Sequence, residues 1–315
     1  MVKTLILYES KYGFTKKISE NLSLILGPAK YCCSSEFTGD IDIYDVVVIC
    51  SPVYLECLDH RILEFVKNNT EKLKKKRVIL LCTCLADKLA VKYLKPLKDM
   101  LGECVVFENG IGGQIDFEKL SRDDSAAMER FGKLTGFSIE GCSTIDKNAF
   151  AELALQIKKI KDEGEKVAED ELLKSHIEDF INKHNTCTLA TGHGNSVRAT
   201  PIEYNYFNGC IYLLSEGGEK FSNILVNPNV SLAIYDEYKS MNELGGMQIA
   251  GAAELIEIGS EEYITILKQK NIKYEKIKSL PIALNMVKIK IRKIEFLWSG
   301  FVGLGYDVRQ VLNVE

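Results

Sequence analysis

The sequence predicts an α/β domain with a doubly wound parallel sheet, followed by a domain built around an antiparallel β-barrel. In the first half, apolar β-branched runs alternate with amphipathic helical stretches, which is typical of parallel sheets covered by helices. In the second half, apolar and polar residues alternate with a period of two, which is typical of antiparallel strands. The charged stretch 158–171 separates the two patterns, so we place the domains at 1–165 and 166–315.

The first domain contains five predicted strands joined by helices. The strands are expected at 5–8, 29–34, 45–50, 77–82 and 104–107. Helices are expected after the first, third and fourth strands, and Pro96 should bend or break the one at 86–101. An inserted segment, 110–141, with a predicted helix at 123–133, precedes the last helix of the domain.

The turn after the first strand has the composition of an anion-binding turn. Ser10 and Thr15 supply hydroxyl donors, and Gly13 allows close approach of the backbone. Because the helix that follows presents free N–H groups at its start, this turn is predicted to bind a phosphate. The alternative is an ordinary strand–helix turn that is capped by Thr15.

A second loop should lie beside this turn, because it follows the strand at 45–50 and ligands bind beyond the carboxyl ends of parallel strands. It carries Tyr54, which we expect either to lie against a flat ring or to cover the sheet edge as a surface aromatic. A third loop, 83–88, has no aromatic residue, so one face of such a ring has no obvious cover, and a partner domain or a substrate could fill that place.

The motif Ser10-x-x-Gly13-x-Thr15, together with the block Tyr44-Asp45-VVVIC-Ser51-Pro52-Val53-Tyr54, resembles the flavodoxin family. The form of the first loop and the inserted segment are most similar to the long-chain branch that includes protoporphyrinogen dehydrogenase. The resemblance implies a flavodoxin-like domain that binds FMN. The residues that it implies as FMN ligands are Ser10, Lys11, Tyr12, Gly13, Phe14, Thr15, Pro52, Val53 and Tyr54.

The second domain begins with an amphipathic helix near 173–181 and continues in short strands. These strands are expected at 186–191, 197–206, 210–215, 230–237 and 247–256, and a further one at 287–291 alternates apolar residues with Lys and Arg. Asn208-Gly209 predicts a tight hairpin turn. The tail from Phe296 carries the only Trp and either closes over a ring or forms a terminal strand and apolar plug.

Three segments of this domain resemble the pyridoxamine-phosphate-oxidase-like split barrels: Val197-Arg198-Ala199-Thr200-Pro201, Glu219-Lys220-Phe221-Ser222-Asn223-Ile224, and Asn227-Pro228-Asn229-Val230. That family holds FMN at a dimer interface, which implies a homodimer through the barrel. The implied phosphate ligands are Arg198 and Lys220, with Ala199, Thr200, Ser215 and Ser222 as further contacts. The alternative is that both cations are solvated surface residues. The substrate-binding cluster of the oxidase itself is not recognisable, which argues against pyridoxal phosphate synthesis.

The composition restricts the classes of partner, location and metal site that remain. The net charge of −4 gives no argument for a nucleic-acid partner, and no apolar stretch approaches the ~20 residues of a membrane span. Ten cysteines without framework spacing, several of them in predicted strands, favour free thiols in a reducing cytoplasm. Neither Cys32-Cys33 nor Cys82-x-Cys84 has a matching second half, so we predict no metal site.

These observations lead to one main hypothesis and its alternatives. The main hypothesis is an FMN-dependent oxidoreductase or electron-transfer protein that passes electrons between two flavins or to a small-molecule or protein redox partner. The alternatives are a one-flavin protein with a scaffold or sensor role, and a porphyrinogen-type dehydrogenase.

Overall fold

The computed structural model describes residues 1–135, 143 and 146–314. The chain divides into two compact units, Met1–Glu165 and Lys166–Glu315. The final residues of the predicted inserted segment 110–141 lie outside the described residues. None of the described helices is long and apolar enough to cross a membrane.

The first unit is built on a parallel sheet. Its strands are β1 (Thr4–Tyr8), β2 (Ala29–Cys33), β3 (Val46–Tyr54), β4 (Cys57–Leu58), β5 (Arg77–Thr83) and β6 (Val105–Ile111). The order in the sheet is β2-β1-β3-β5-β6, all parallel, while the two-residue β4 runs antiparallel to β3. The predicted doubly wound sheet is therefore confirmed, and its winding direction reverses at β1 and β3.

Helices cover both faces of this sheet. They are α1 (Phe14–Ile25), α2 (His60–Leu73), α3 (Ala90–Leu101), α4 (Arg122–Thr135) and α5 (Lys147–Asp162). The buried residues Leu22 of α1 and Ile157 of α5 belong to the core on one face. The buried residues Val66 of α2 and Leu97 of α3 belong to the core on the other face. Along each helix the buried side chains recur at spacings of three and four residues, which places them on one face of the helix.

The expected break at Pro96 does not occur, because α3 runs continuously from Ala90 to Leu101. Pro96 cannot donate a backbone hydrogen bond to Lys92, but both residues are exposed, so water can satisfy that carbonyl. On the opposite side, Tyr93, Leu94 and Leu97 are buried. Packing of this apolar stripe outweighs the one missing backbone bond.

The second unit is built on an antiparallel barrel. Its strands are β7 (Thr186–His193), β8 (Ser196–Phe207), β9 (Cys210–Ser215), β10 (Asn229–Tyr235), β11 (Gly245–Ile256), β12 (Asn285–Trp298) and β13 (Arg309–Asn313). Six of them follow one another in the order β11-β10-β7-β8-β9-β12, and the pairing of β11 with β12 closes the ring. The predicted antiparallel barrel is therefore confirmed, and β13 adds to the free side of β12.

Five helices accompany the barrel: α6 (Asp170–Lys183), α7 (Glu219–Val226), α8 (Glu261–Gln269), α9 (Tyr274–Lys278) and α10 (Gly300–Gly303). The tail forms a terminal strand and an apolar plug. Phe301 is fully buried, the Trp298 ring lies edge-on to it at 5.1 Å, and β13 follows.

The hairpin between β8 and β9 gives a first prediction. Asn208 and Gly209 have φ values of 48° and 73°, and a Cβ at Gly209 would meet no atom within 4 Å. Replacing Gly209 by Ala should therefore lower the free energy of unfolding by about 1 kcal/mol through backbone strain alone. Fluorescence of Trp298, the only Trp in the chain, during urea unfolding measures this in the second unit.

Gly303 provides the matched control, since it also has open space around it but no positive φ. Ala at position 303 should leave the stability unchanged or raise it slightly. An equal loss in both variants would contradict the assignment of the strain to the turn.

Candidate functional site

The turn between β1 and α1 is closed by its own hydrogen bonds. The Gly13 N–H donates to the Ser10 hydroxyl at 3.0 Å, and Gly13 is the N-cap of α1 with a φ of 87°. The first intrahelical bond runs from the Lys17 N–H to the Gly13 carbonyl at 3.0 Å. The N–H groups of Phe14, Thr15 and Lys16 therefore point out of the start of the helix, as an anion site requires.

The alternative of a turn capped by Thr15 is wrong, because Gly13 occupies the cap position. The Thr15 side chain is 2% exposed, and its hydroxyl pairs with the Thr83 hydroxyl at 2.8 Å. That bond joins the first loop to the end of β5. In this arrangement Thr15 holds two loops together, and the backbone N–H groups are the donors that face outward.

The second loop meets the first through Tyr54. Its hydroxyl accepts a hydrogen bond from the Lys11 N–H at 3.2 Å, and its ring lies edge-on to that of Tyr12 at 6.2 Å. The residues that follow, Leu55 and Glu56, form the turn into β4 with φ values of 50° and 63°. Such left-handed conformations cost non-glycine residues free energy. The Tyr93 hydroxyl donates to the Glu56 carboxylate at 2.6 Å and stabilises the turn.

A single pocket lies where these loops converge, and six of the nine predicted residues line it. They are Tyr12, Phe14, Thr15, Pro52, Val53 and Tyr54. Ser10, Lys11 and Gly13 belong to the adjoining turn. The cavity volume is about 160 Å³, below the roughly 300–1,000 Å³ of typical ligand sites. A whole FMN therefore fits only if its phosphate end lies outside the cavity, along the turn.

The inserted segment contributes an aliphatic wall to the pocket, which the sequence analysis did not anticipate. Ile115, Leu120 and Met128 contribute apolar surface there, and Leu85 of the third loop adds to it. This aliphatic wall stands where the third loop has no aromatic residue. The sequence indicated an inserted helix but contained no signal for the surface against which it packs.

Glu9, directly after β1, holds the start of the turn in place through contacts of its carboxylate. It is 1% exposed, and its Oε1 accepts hydrogen bonds from the Ser34 hydroxyl at 2.6 Å, the Ser35 N–H at 2.9 Å and the Cys33 thiol at 3.2 Å. Its Oε2 lies 2.9 Å from Arg61 Nη1. Burial raises the pKa of Glu9, but the hydrogen bonds outweigh it and hold the pKa below its usual range. The carboxylate thus ties the turn to the ends of β2 and α2.

In the second unit, the structure brings Ser215 and Lys220 together at one backbone carbonyl. The Ser215 hydroxyl donates to the Gly217 carbonyl at 3.1 Å, and the Lys220 ammonium donates to the same oxygen. Lys220 is 8% exposed. Burial, and then the positive charge of Arg198, lowers the pKa of its ammonium group. Two cations close enough to repel each other at the start of α7 suit an anionic ligand.

Arg198 on β8 is exposed, and its guanidinium forms an ion pair with the Glu219 carboxylate. Ala199 is exposed beside it, opposite Ala190 of β7. The Thr200 hydroxyl is buried and has no hydrogen-bond partner in the described part of the chain. An orphaned buried hydroxyl is costly, and a ligand that accepts or donates there would remove the cost.

Ser222 is not drawn into this group. It is exposed on α7, whereas the next residue, Asn223, faces the barrel. The Asn223 amide donates to the Thr191 hydroxyl at 3.1 Å and its oxygen lies 2.7 Å from His193 Nδ1. Asn223 and His193 were not predicted, because their pairing depends on how α7 lies across β7.

The buried Glu9 carboxylate gives a second prediction. Replacing Glu9 by Gln should lower the free energy of unfolding at neutral pH by about 1–2 kcal/mol, since charged hydrogen bonds are lost. Because the pKa of Glu9 is lowered in the folded state, its stabilisation is present above the ordinary value of 4.5 and is lost as the pH falls through the folded-state value. The difference between variant and parent should therefore shrink on acidification.

Urea unfolding followed by circular dichroism at neutral and acidic pH measures this difference. Glu20, exposed on α1, provides the matched Glu→Gln control and should change stability by less than about 0.5 kcal/mol. A variant of Glu9 that is as stable as the parent at neutral pH would contradict the anchoring role.

Comparison with solved structures gives distant likenesses. HutZ, the heme storage protein from Vibrio cholerae, is 17% identical, with 38% of this chain and 90% of that chain covered at a TM-score of 0.34. ChuZ from Campylobacter jejuni is 18% identical over 55% and 73% of the two chains, at 0.38. General Stress Protein 26 from Bacillus anthracis is 17% identical over 45% and 98%, at 0.33. A comparison with curated protein sequences gave no match.

Family models match both units. Residues 5–138 match the flavodoxin domain, and residues 173–298 match the pyridoxamine 5'-phosphate oxidase family. The two matches follow one another along the chain without overlap, and each falls within one compact unit. The protein is thus a fusion of a flavodoxin-like domain with a pyridoxamine 5'-phosphate oxidase-like domain.

Proposed function

We propose that this protein is an FMN-dependent oxidoreductase or electron-transfer protein in which both units bind FMN. The observation that carries the proposal is the first-unit pocket. There, unbonded N–H groups at the start of α1, the Tyr54 ring and an aliphatic wall converge at the point where the sheet reverses its winding. When bound, FMN supplies the redox chemistry by accepting and releasing one or two electrons.

The residues of the first unit have three roles in this proposal. The N–H groups of residues 14–16 hold the phosphate, together with Ser10 once its hydroxyl is released from Gly13. Tyr54 on one side and the aliphatic wall on the other enclose the flavin ring and exclude water. Thr15 fixes the loop by its bond to Thr83. No side chain is assigned as a catalytic base or nucleophile.

In the second unit, Arg198 and Lys220 hold the phosphate of the second FMN. Ala199, Thr200 and Ser215 are its further contacts, whereas Ser222, exposed on α7 and apart from this group, is given no role. The unpartnered Thr200 hydroxyl and the mutual repulsion of the two cations support this assignment. Against it, Glu219 already pairs with Arg198. That ion pair favours the alternative, a one-flavin protein whose barrel is a scaffold.

We also propose a homodimer through the barrel in a reducing, cytoplasmic environment. The first four residues of β8 are exposed, including Val197, whose exposed fraction is 86%. An exposed strand end beside the proposed phosphate site, with Val197 and Ala199 as its apolar residues, suits a twofold interface that completes the site from both subunits. Buried thiols, such as that of Cys50, persist in a reducing compartment.

Sedimentation with detection in the flavin absorption band tests the function and the dimer together. The expected result is a dimer with two FMN per chain, and its flavin should be reduced by a reduced nicotinamide or a reduced low-potential carrier. One FMN per chain would favour the scaffold alternative. A flavin-free protein after incubation with excess FMN would refute the proposal, and a monomer that retains flavin in the barrel would refute the dimer.

Lys220 gives a sharper prediction for the barrel. Its replacement by Ala should weaken FMN binding there by about tenfold to a hundredfold, since a charged hydrogen bond contributes about 1.5–3 kcal/mol. Riboflavin, which lacks the phosphate, should bind variant and parent equally. Flavin titration of the full chain measures both ligands.

Lys239, which is 68% exposed, provides a matched Lys→Ala control. It should change neither affinity. If Lys220→Ala lost FMN and riboflavin in the same proportion, or lost neither, Lys220 would be removed from the site.

A further inference from the structure

A cluster of three side chains joins the inserted segment to the anion-binding turn of the first unit. Asp124, in the first turn of α4, accepts hydrogen bonds from the Lys11 ammonium and from the Tyr12 hydroxyl. The Ser121 N–H also donates to the Tyr12 hydroxyl at 3.3 Å. Asp124 is therefore held on the turn rather than directed into solvent.

Asp124 also lines the pocket, beside Tyr12 and the apolar residues Ala127 and Met128 of the same helix. Its bonds to Lys11 and Tyr12 place this carboxylate beside the turn that precedes α1. It neutralises Lys11, the only cationic side chain in residues 10–15. The hydrogen bond from Lys11, and then that from Tyr12, keeps the pKa of Asp124 below its usual range, so the group is ionised at neutral pH.

We propose that Asp124 is a specificity-determining residue that weakens binding of the phosphate-bearing flavin at this site relative to its uncharged counterpart. The inference rests on the proposed function, because it assumes that flavin binds in this pocket. A dianionic phosphate on the turn gains from Lys11 and loses from Asp124, and the two effects are opposite in sign. The phosphate is then held mainly by backbone N–H groups, and the preference for FMN over riboflavin is smaller than it would be without Asp124.

The test is a double-mutant cycle on the full chain, with Lys220→Ala in every protein to lower the contribution of the barrel. Asp124→Asn keeps an acceptor for Tyr12 but removes the charge, and should tighten FMN binding about tenfold, equivalent to about 1.4 kcal/mol. Lys11→Met should weaken FMN binding, and the double variant should return close to the parent. Riboflavin affinity should remain the same throughout.

Salt dependence gives a second readout, which a merely structural role of Asp124 would not change. In the parent, the opposite charges of Lys11 and Asp124 cancel, so FMN affinity should depend weakly on salt. In Asp124→Asn, the unopposed Lys11 should make the affinity fall clearly as salt increases. Asp123→Asn is the matched control, because Asp123 lies in the same helical turn, is exposed and does not line the pocket.

Three outcomes would overturn the inference alone. In the first, the parent and Asp124→Asn bind FMN equally. In the second, Asp124→Asn loses FMN and riboflavin together, which would make Asp124 a tether of α4. An equal gain in Asp123→Asn would also overturn it, because the effect would then reflect net charge. A parent that binds neither flavin at this site would refute the proposed function and the inference with it.

Discussion

The candidate site of the first unit depends on the parallel pairing of β1 with both β2 and β3. Because all three strands run the same way, their carboxyl ends meet at one edge, and the loops that follow them must lie side by side. The buried Glu9 carboxylate stabilises this edge, since its partners come from β2 and α2. The free N–H groups of α1 and the Tyr54 ring face one pocket as a consequence.

The phosphate sites proposed for the two units differ in their electrostatics. In the first, the cation of the turn is paired with Asp124, so the backbone N–H groups remain as the main donors. In the second, Lys220 is buried beside Arg198, and the unfavourable proximity of two cations is offset only in part by Glu219. We expect the second arrangement to discriminate more strongly for a dianion, because its charges are less solvated.

The barrel achieves its stability by closure. Pairing of β11 with β12 removes the two free edges that a six-stranded open sheet would have, and β13 covers part of β12. The tail is used in this closure, as Phe301 is buried and Trp298 packs against it. These aromatic side chains therefore pack in the barrel core.

The sequence by itself indicated most of the elements of both units and their parallel or antiparallel class, because apolar periodicity and turn residues act locally. The order of the strands came only from the structure. The sequence indicated the strand–turn–helix unit around Gly13, the hairpin at Asn208-Gly209 and the alternation along β12, which all lie where we expected them. It also indicated Arg198, Ser215 and Lys220 as neighbours, although only through a resemblance. At Pro96, where a bend or a break was predicted, α3 is not broken, since packing over the whole helix outweighs one missing hydrogen bond.

Only the tertiary structure decided which groups the predicted residues face. Thr15 pairs with Thr83, Lys11 and Tyr12 bind Asp124, and Arg198 pairs with Glu219. Each of these contacts joins residues that are distant in sequence, and each contact depends on how helices and loops pack across strands. Local patterns carry no information on such packing, which is why the sequence suggested residues for each site but neither their partners nor the charge balance around them.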